Sequence, residues 1–391
     1  MKNDVGSAWA EACVLINAAY KKGKSLLFSR GKVVAAAWLA MLLFSFLVYA
    51  QGISGGFLLD DYQNLRLLSD IRAPLTWQKI VDFVVLQGQT NLLGRPVSLA
   101  TFALQYSSWP DSPGHFKLIN ILLHLINATL VLVLALKIGR KFTEDSRVLA
   151  VVATWSASVW LLHPINVSTV LYVVQRMAEL SSLFMLLAAV IYVDGRNRLI
   201  VNNDKTAYVL ITLAVVVFGA AAIFSKENGV LTPVMLLAIE LTVYANDHVD
   251  KRFSLWRLLM LWLPAFIIFV YLVFLAFEPK PALRNFNVYE RLITQPRILF
   301  DYIGKIVFPR PRSFGLYFDG YPWSRGIFLP VTTLFSIVGV FFLITFSVVY
   351  RRKYRLFSFS VLWFFAGHLL ESSSVMLEMY FEHRNYVPMV G

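Results

Sequence analysis

The run Leu258-Leu-Met-Leu-Trp-Leu-Pro-Ala-Phe-Ile-Ile-Phe-Val-Tyr-Leu-Val-Phe-Leu-Ala-Phe277 contains no Asp, Glu, Lys, Arg or His. Twenty such residues are about what a helix needs to cross a hydrocarbon core of roughly 30 Å. Runs of this kind recur along the chain, which is 58% hydrophobic with a mean hydropathy of +0.63. A soluble domain of 391 residues would need more polar surface. The expected fold is therefore all-α, a polytopic transmembrane helical protein. Nine spans are expected: Val33 to Ala50, Phe116 to Leu136, Val148 to Leu162, Val170 to Val193, Tyr208 to Phe224, Val230 to Ala245, Leu258 to Phe277, Ile327 to Val349, and Leu356 to Leu370.

Charge orients these spans. Lys21, Lys22, Lys24, Arg30 and Lys32 precede the first one without a cleavage pattern after it, so residues 1–32 read as a cytoplasmic segment before a retained anchor. Residues 33–391 then form one transmembrane domain. The short segments Lys137 to Arg147, Asp194 to Lys205, Asn246 to Arg257 and Tyr350 to Arg355 fall inside and are rich in Lys and Arg. Outside fall His163 to Ser168, Ser225 to Asn228, and two long loops, 51–115 and 278–325. In the first of these, Trp77, Ile80, Val81 and Val84 share a helical face that would lie along the membrane surface. The net charge of +13 is accounted for by this loop bias, and no nucleic-acid signature accompanies it. A lone cysteine, Cys13, leaves no internal disulfide. No internal repeat is visible. The chain stops at Gly391 just after an outward span, which reads as a form shortened at its C-terminus.

The polar motifs collect on the outer side. Asp60-Asp61-Tyr62 follows the first span. Adjacent carboxylates raise one another's pKa, which suits a general base, although Asp is also a common helix cap. Lys117, Asn120, His124 and Asn127 fall on one face of the second span, as a hydrogen-bonded seam or a cavity lining. Arg176 and Glu179, at i and i+3, would pair with each other, or Arg176 would hold a phosphate. Pro164 in His163-Pro164 stops a helix. Lys226 and Glu227 sit in the short turn Ser225-Lys226-Glu227-Asn228, and Lys226 is an anion ligand or an interfacial snorkel. Arg95 and the cluster Glu382-His383-Arg384-Asn385-Tyr386 add further cations. Carboxylates beside several cations suit attack by a hydroxyl on a phosphate-activated donor.

The strings Phe57-Leu-Leu-Asp-Asp-Tyr62, Gly94-Arg-Pro-Val-Ser-Leu99 and Lys117-Leu-Ile-Asn-Ile-Leu-Leu-His124 are followed by His163-Pro164 through Arg176, Ser225-Lys-Glu-Asn228 and Glu382-His-Arg-Asn-Tyr386. In that order the chain resembles the GT-C superfamily of membrane glycosyltransferases. Within it, the chain is similar to the membrane part of tetratricopeptide-repeat-type protein O-mannosyltransferases and their bacterial relatives. The resemblance runs from about Phe57 to the end, and no tetratricopeptide domain follows.

The resemblance implies inverting transfer of a sugar from a polyprenyl-phosphate donor to a hydroxyl acceptor, protein Ser/Thr foremost. Asp61, slightly ahead of Asp60, would be the base. Lys226, Arg384, Arg95 and Arg176 would hold the donor phosphate; His163, His383, His124, Glu227 and Tyr62 would shape the site. No metal or other cofactor is expected. The acceptor partner is a protein or glycolipid, in a bacterial inner membrane with the site facing the periplasm; an endoplasmic reticulum membrane is the alternative. The rival functions are a lipid-linked sugar flippase and a GT-C enzyme acting on a glycolipid or polysaccharide.

Overall fold

The computed structural model describes residues 32–71, 73–89, 93–201, 205–278, 284–316 and 320–391. Apart from Lys32, the expected cytoplasmic segment 1–32, including Cys13, lies outside the described residues. The described residues form helices and turns, with one isolated bridge between Gly326 and Leu329 and no strand. The all-α architecture is as expected.

Six helices are long and apolar enough to cross a membrane. They are α1 (Lys32–Ala50), α5 (Pro113–Gly139), the helix Val173–Val201 whose α-helical part is α8 (Arg176–Val201), α9 (Lys205–Ile223), α11 (Lys251–Phe277) and α13 (Thr332–Val349). Between α1 and α5 lie the short helices α2 (Leu59–Leu65), α3 (Trp77–Gly88) and α4 (Pro96–Ala103), and between α11 and α13 lies α12 (Val288–Val307). α6 (Ser146–Leu162) stops at His163-Pro164 and continues, bent by 46°, through Pro164 to Leu171. The second half of that bent pair contains α7 (Val167–Leu171), and counted as one span the pair is the seventh. Proline ends α6 because it supplies no N–H and its ring crowds the preceding turn. Where nine spans were expected, the other two are α10 (Thr232–Thr242) and α14 (Arg355–His368). Their 11 and 14 residues reach about 16 and 21 Å, short of a hydrocarbon core.

α5 and α8 form the centre, each with a polar face turned inward. On α5, Lys117, Asn120, His124 and Asn127 are all buried, as their spacing predicts, while Leu122 and Ile126 of the opposite face are exposed. α11 and α13 make the apolar rim. Phe266, Phe269 and Phe274 on one, and Phe335, Phe341 and Phe342 on the other, point away from the protein. Such an exposed apolar surface belongs against lipid.

Charge pairing separates the two ends of the bundle. Arg95–Glu227, Lys226–Glu371, Arg384–Glu371 and Lys305–Glu382 join segments expected outside. Lys137–Asp194 and Lys141–Asp247 join segments expected inside, and Arg196–Glu240 joins one of these segments to the span expected over Val230 to Ala245. Arg176 opens α8 and Arg196 lies twenty residues along it, about 30 Å away.

Two local expectations change. In α3 the face packed on the protein is Ile80, Phe83 and Gln87; Val81 and Val84 are half-buried and Trp77 is 75% exposed. Arg176 and Glu179 do not pair. Arg176 donates to Asn120 Oδ1 at 3.0 Å and to the Phe116 carbonyl at 2.9 Å, and stacks over the Phe102 ring at 4.5 Å. Tertiary partners satisfy the guanidinium better than the neighbour one turn away, and both carboxyl oxygens of Glu179 remain buried without a hydrogen bond.

Candidate functional site

The loop after α1 returns through α2, whose first turn carries both aspartates. They differ in environment. Asp61 is fully buried: its Oδ2 accepts the Leu58 N–H at 2.8 Å and its Oδ1 accepts the Val174 N–H at 2.7 Å. It thereby ties the acidic loop to the start of the central helix. The Asp60 side chain is exposed, and its backbone N–H donates to the Tyr172 hydroxyl at 2.9 Å. Tyr62 is 54% exposed and meets Phe57 and Trp109 edge-on.

Burial pushes the Asp61 carboxyl up to about 6, against the pull of the Leu58 and Val174 amides and Lys117. Folding therefore favours its protonated form over that of an unfolded Asp near 3.8. That stabilisation is complete below the unfolded value and is lost as pH rises through about 6. Thermal unfolding followed across this window should show stability falling with rising pH, and Asp61→Asn should flatten the slope. An unchanged slope would remove Asp61 as its source.

Beside Tyr172 a groove of about 240 Å³ opens between Leu58, Leu171, Tyr172, Phe314, Leu316 and Glu382. Its walls are apolar except for Ser168, Tyr172 and the carboxyl of Glu382, which Lys305 contacts at 3.0 Å. His163 braces one side. Its Nδ1 accepts the Ile165 N–H at 3.2 Å, so Nε2–H donates to the Ile306 carbonyl at 3.1 Å.

The motif strings zip onto one another behind this groove. Arg95 donates from Nε to both Glu227 oxygens at 2.9 and 3.0 Å. The Val97 N–H bonds the Phe224 carbonyl at 3.1 Å, and the Ser98 hydroxyl the Ser225 carbonyl at 2.8 Å. Gly94 and Arg95 both adopt left-handed backbone, with φ of 74° and 47°, to make this close approach. Gly229 has a different cause: a Cβ there would come within 2.1 Å of the Ala222 backbone. The turn that carries Lys226 is thus fixed from both sides.

Lys226 points at Glu371, 3.6 Å from its Oε1, and Arg384 Nε lies 3.5 Å from its Oε2. His383 lines the same small pocket with Lys226, Arg384, Ser181 and Ser182. Burial, then Lys226, lowers the His383 imidazole well below its ordinary range, so it is neutral. The turn Glu382–Asn385 therefore places Glu382 in the groove and His383 and Arg384 in the cation pocket. The acidic groove and the cations meet across consecutive residues.

Of the expected site residues, Lys226, His383 and Arg384 line the pocket side of this junction with Arg95 and Glu227 bracing them, while Asp60 and Asp61 join the groove side through Tyr172 and Leu58. Arg176 is a correction: it is fully buried and its donors are taken by Asn120 and backbone carbonyls, so it offers nothing to a phosphate. His124 is likewise structural. Nε2–H donates to the Leu161 carbonyl at 2.9 Å, and Nδ1 accepts the Tyr386 hydroxyl at 2.8 Å. Sequence reasoning missed Glu371 and Tyr172. Glu371 had a signal, a lone acid directly after the apolar run that ends at Leu370. Among the described residues no three of His, Cys, Asp and Glu gather as a metal site.

No family model matches the chain, and no solved structure does. Over 232 residues it is 29% identical to protein O-mannosyl-transferase TMTC1 of Homo sapiens, and 26% identical to the protein of that name from Mus musculus. Each match covers 57% of this chain, which spans about a quarter of the length of these relatives, 25% and 24%. The expected relationship is borne out: over more than half its length this chain is similar to TMTC-like protein O-mannosyl-transferases.

Proposed function

We propose that the chain transfers a sugar from a polyprenyl-phosphate donor to a hydroxyl of a protein, on the extracytoplasmic face of a membrane. The observation that carries this reading is the junction at Glu382–Asn385, where a groove flanked by an exposed carboxylate meets a pocket of cations. The similarity to enzymes named protein O-mannosyl-transferases supports sugar transfer to protein. The Lys and Arg bias of the opposite loops supports the outward orientation.

In this reading Asp60, rather than Asp61, is the base. Asp61 has both oxygens capped by backbone amides and no exposed surface; Asp60 is open to a substrate. Asp60 takes the proton from the acceptor hydroxyl as the oxygen attacks the anomeric carbon. The bond from that carbon to the phosphate oxygen breaks, and its electron pair leaves with the polyprenyl phosphate. Attack opposite the leaving group inverts the carbon. Lys226 and Arg384 offset the charge developing on that phosphate, an effect of the oxyanion-hole kind.

The test is a transfer assay in membranes, with a pool of polyprenyl-phosphate sugars and a Ser/Thr-containing acceptor peptide. A glycosylated peptide of inverted anomeric configuration is the expected product. Donor translocated across the membrane with no peptide modified would replace this reading with a flippase.

A further inference from the structure

The cation pocket already holds an anion, and that anion is Glu371. Its segment, 369–381, is irregular, yet its backbone is pinned at several points. Arg291 donates to the carbonyls of Glu371, Ser373, Leu377 and Glu378 at 2.5 to 3.0 Å. Arg384 adds the carbonyls of Glu378 and Met379 at 2.8 and 3.2 Å. The Glu371 carboxylate accepts the Asn228 side chain but is held less closely by its cations. Its nearest cation contacts are 3.5 and 3.6 Å, against 2.8 to 3.0 Å for Arg95 on Glu227.

Charge-assisted hydrogen bonds between fitted partners run about 2.7–2.9 Å. Two cations that both stand off one carboxylate are spaced for a larger anion. The space left beside them is about 20 Å³, room for one water and not for a phosphate group. Although burial alone would raise it, Lys226 and then Arg384 hold the Glu371 carboxyl down to about 2, so it is charged.

We propose that Glu371 is an internal stand-in for the donor phosphate: it holds Lys226 and Arg384 in position in the empty site, and the arriving phosphate displaces it. The proposal rests on the phosphate-binding role assigned above to those two cations. Unpaired cations buried side by side would repel one another, and a tethered carboxylate prevents this. Because it is tethered, it competes with every phosphate that binds. The pinned backbone lets the side chain swing out while its loop stays in place.

The full chain in detergent micelles, titrated by calorimetry with a short-chain polyprenyl monophosphate and separately with inorganic phosphate, tests this. Glu371→Gln keeps the side-chain size but removes the competing charge, and should bind the polyprenyl monophosphate at least about fivefold more tightly than wild type, the lower range of site-to-site coupling. Adding Lys226→Gln should abolish the gain. Should Glu371→Gln fail to fold, Glu371→Asp keeps the charge but withdraws it by one methylene, and should tighten binding in the same direction. If wild type binds and the variants that fold bind no more tightly, the stand-in role is wrong while the phosphate reading survives. If inorganic phosphate alone gains affinity, the pocket serves a free anion and the proposal falls. If neither wild type nor variants bind either probe, both readings fall together.

Discussion

Asp60→Asn should cut sugar transfer by about 10²–10⁴-fold, the usual effect of removing a general base, while expression, thermal stability and donor binding stay near wild type. The reason is the asymmetry of the pair. Asp60 is exposed, its backbone link to Tyr172 survives the substitution, the Asn oxygen can still accept from the Tyr172 hydroxyl as the carboxylate does, and exposed changes are usually within about 0.5 kcal/mol of neutral. Asp61→Asn should do the opposite. Its amide cannot accept from both the Leu58 and Val174 N–H groups, so one buried donor loses its partner, at a cost of about 1–3 kcal/mol. Activity per folded molecule should fall far less than for Asp60→Asn. Rates and unfolding temperatures of both variants, measured side by side, decide the assignment: an active Asp60→Asn beside a stable but inactive Asp61→Asn would exchange the two roles.

The sequence showed which residues would gather but not how each would be used. The stripe Lys117, Asn120, His124 and Asn127 was legible because helical spacing alone puts it on one face, and polar groups in a span must turn inward. That Asp60, Lys226 and Arg384 would share one end of the bundle followed from loop charge. Local spacing could not reveal that Arg176 bonds Asn120 on another helix instead of Glu179 one turn away. Nor could it separate Asp60 from Asp61, since adjacent residues differ only in which way the chain turns them. Glu371 escaped because its segment is irregular and has no period to read. The face of α3 was misjudged for a related reason: Trp77 counts as apolar in a pattern, yet it lies at the first turn and points away from the protein.

At the end of the bundle away from the groove, Glu240→Ala should lower stability by about 3–5 kcal/mol, the range for breaking a buried ion pair by removing one partner. The Glu240 side chain has no exposed surface and that of Arg196 has 2%. Its carboxylate accepts the Tyr192 hydroxyl at 2.9 Å and Arg196 Nε at 3.1 Å, with Arg257 at 3.6 Å. Without it, Arg196 keeps its stacking on Phe253 at 4.2 Å but loses its counter-charge. Replacing both partners by apolar residues, Arg196→Met with Glu240→Leu, should restore much of the loss, because no buried charge of the pair is then left over. Unfolding temperatures of the single and double variants in micelles measure this, and a Glu240→Ala as stable as wild type would show that the pair does not hold that end together. Transfer activity per folded molecule should be unchanged throughout, because Arg196 lies twenty residues along α8 from the end that carries the groove. Loss of activity in a variant that remains folded would mean that α8 couples the two ends, and that Asp60 and Lys226 are set in place partly by packing about 30 Å away.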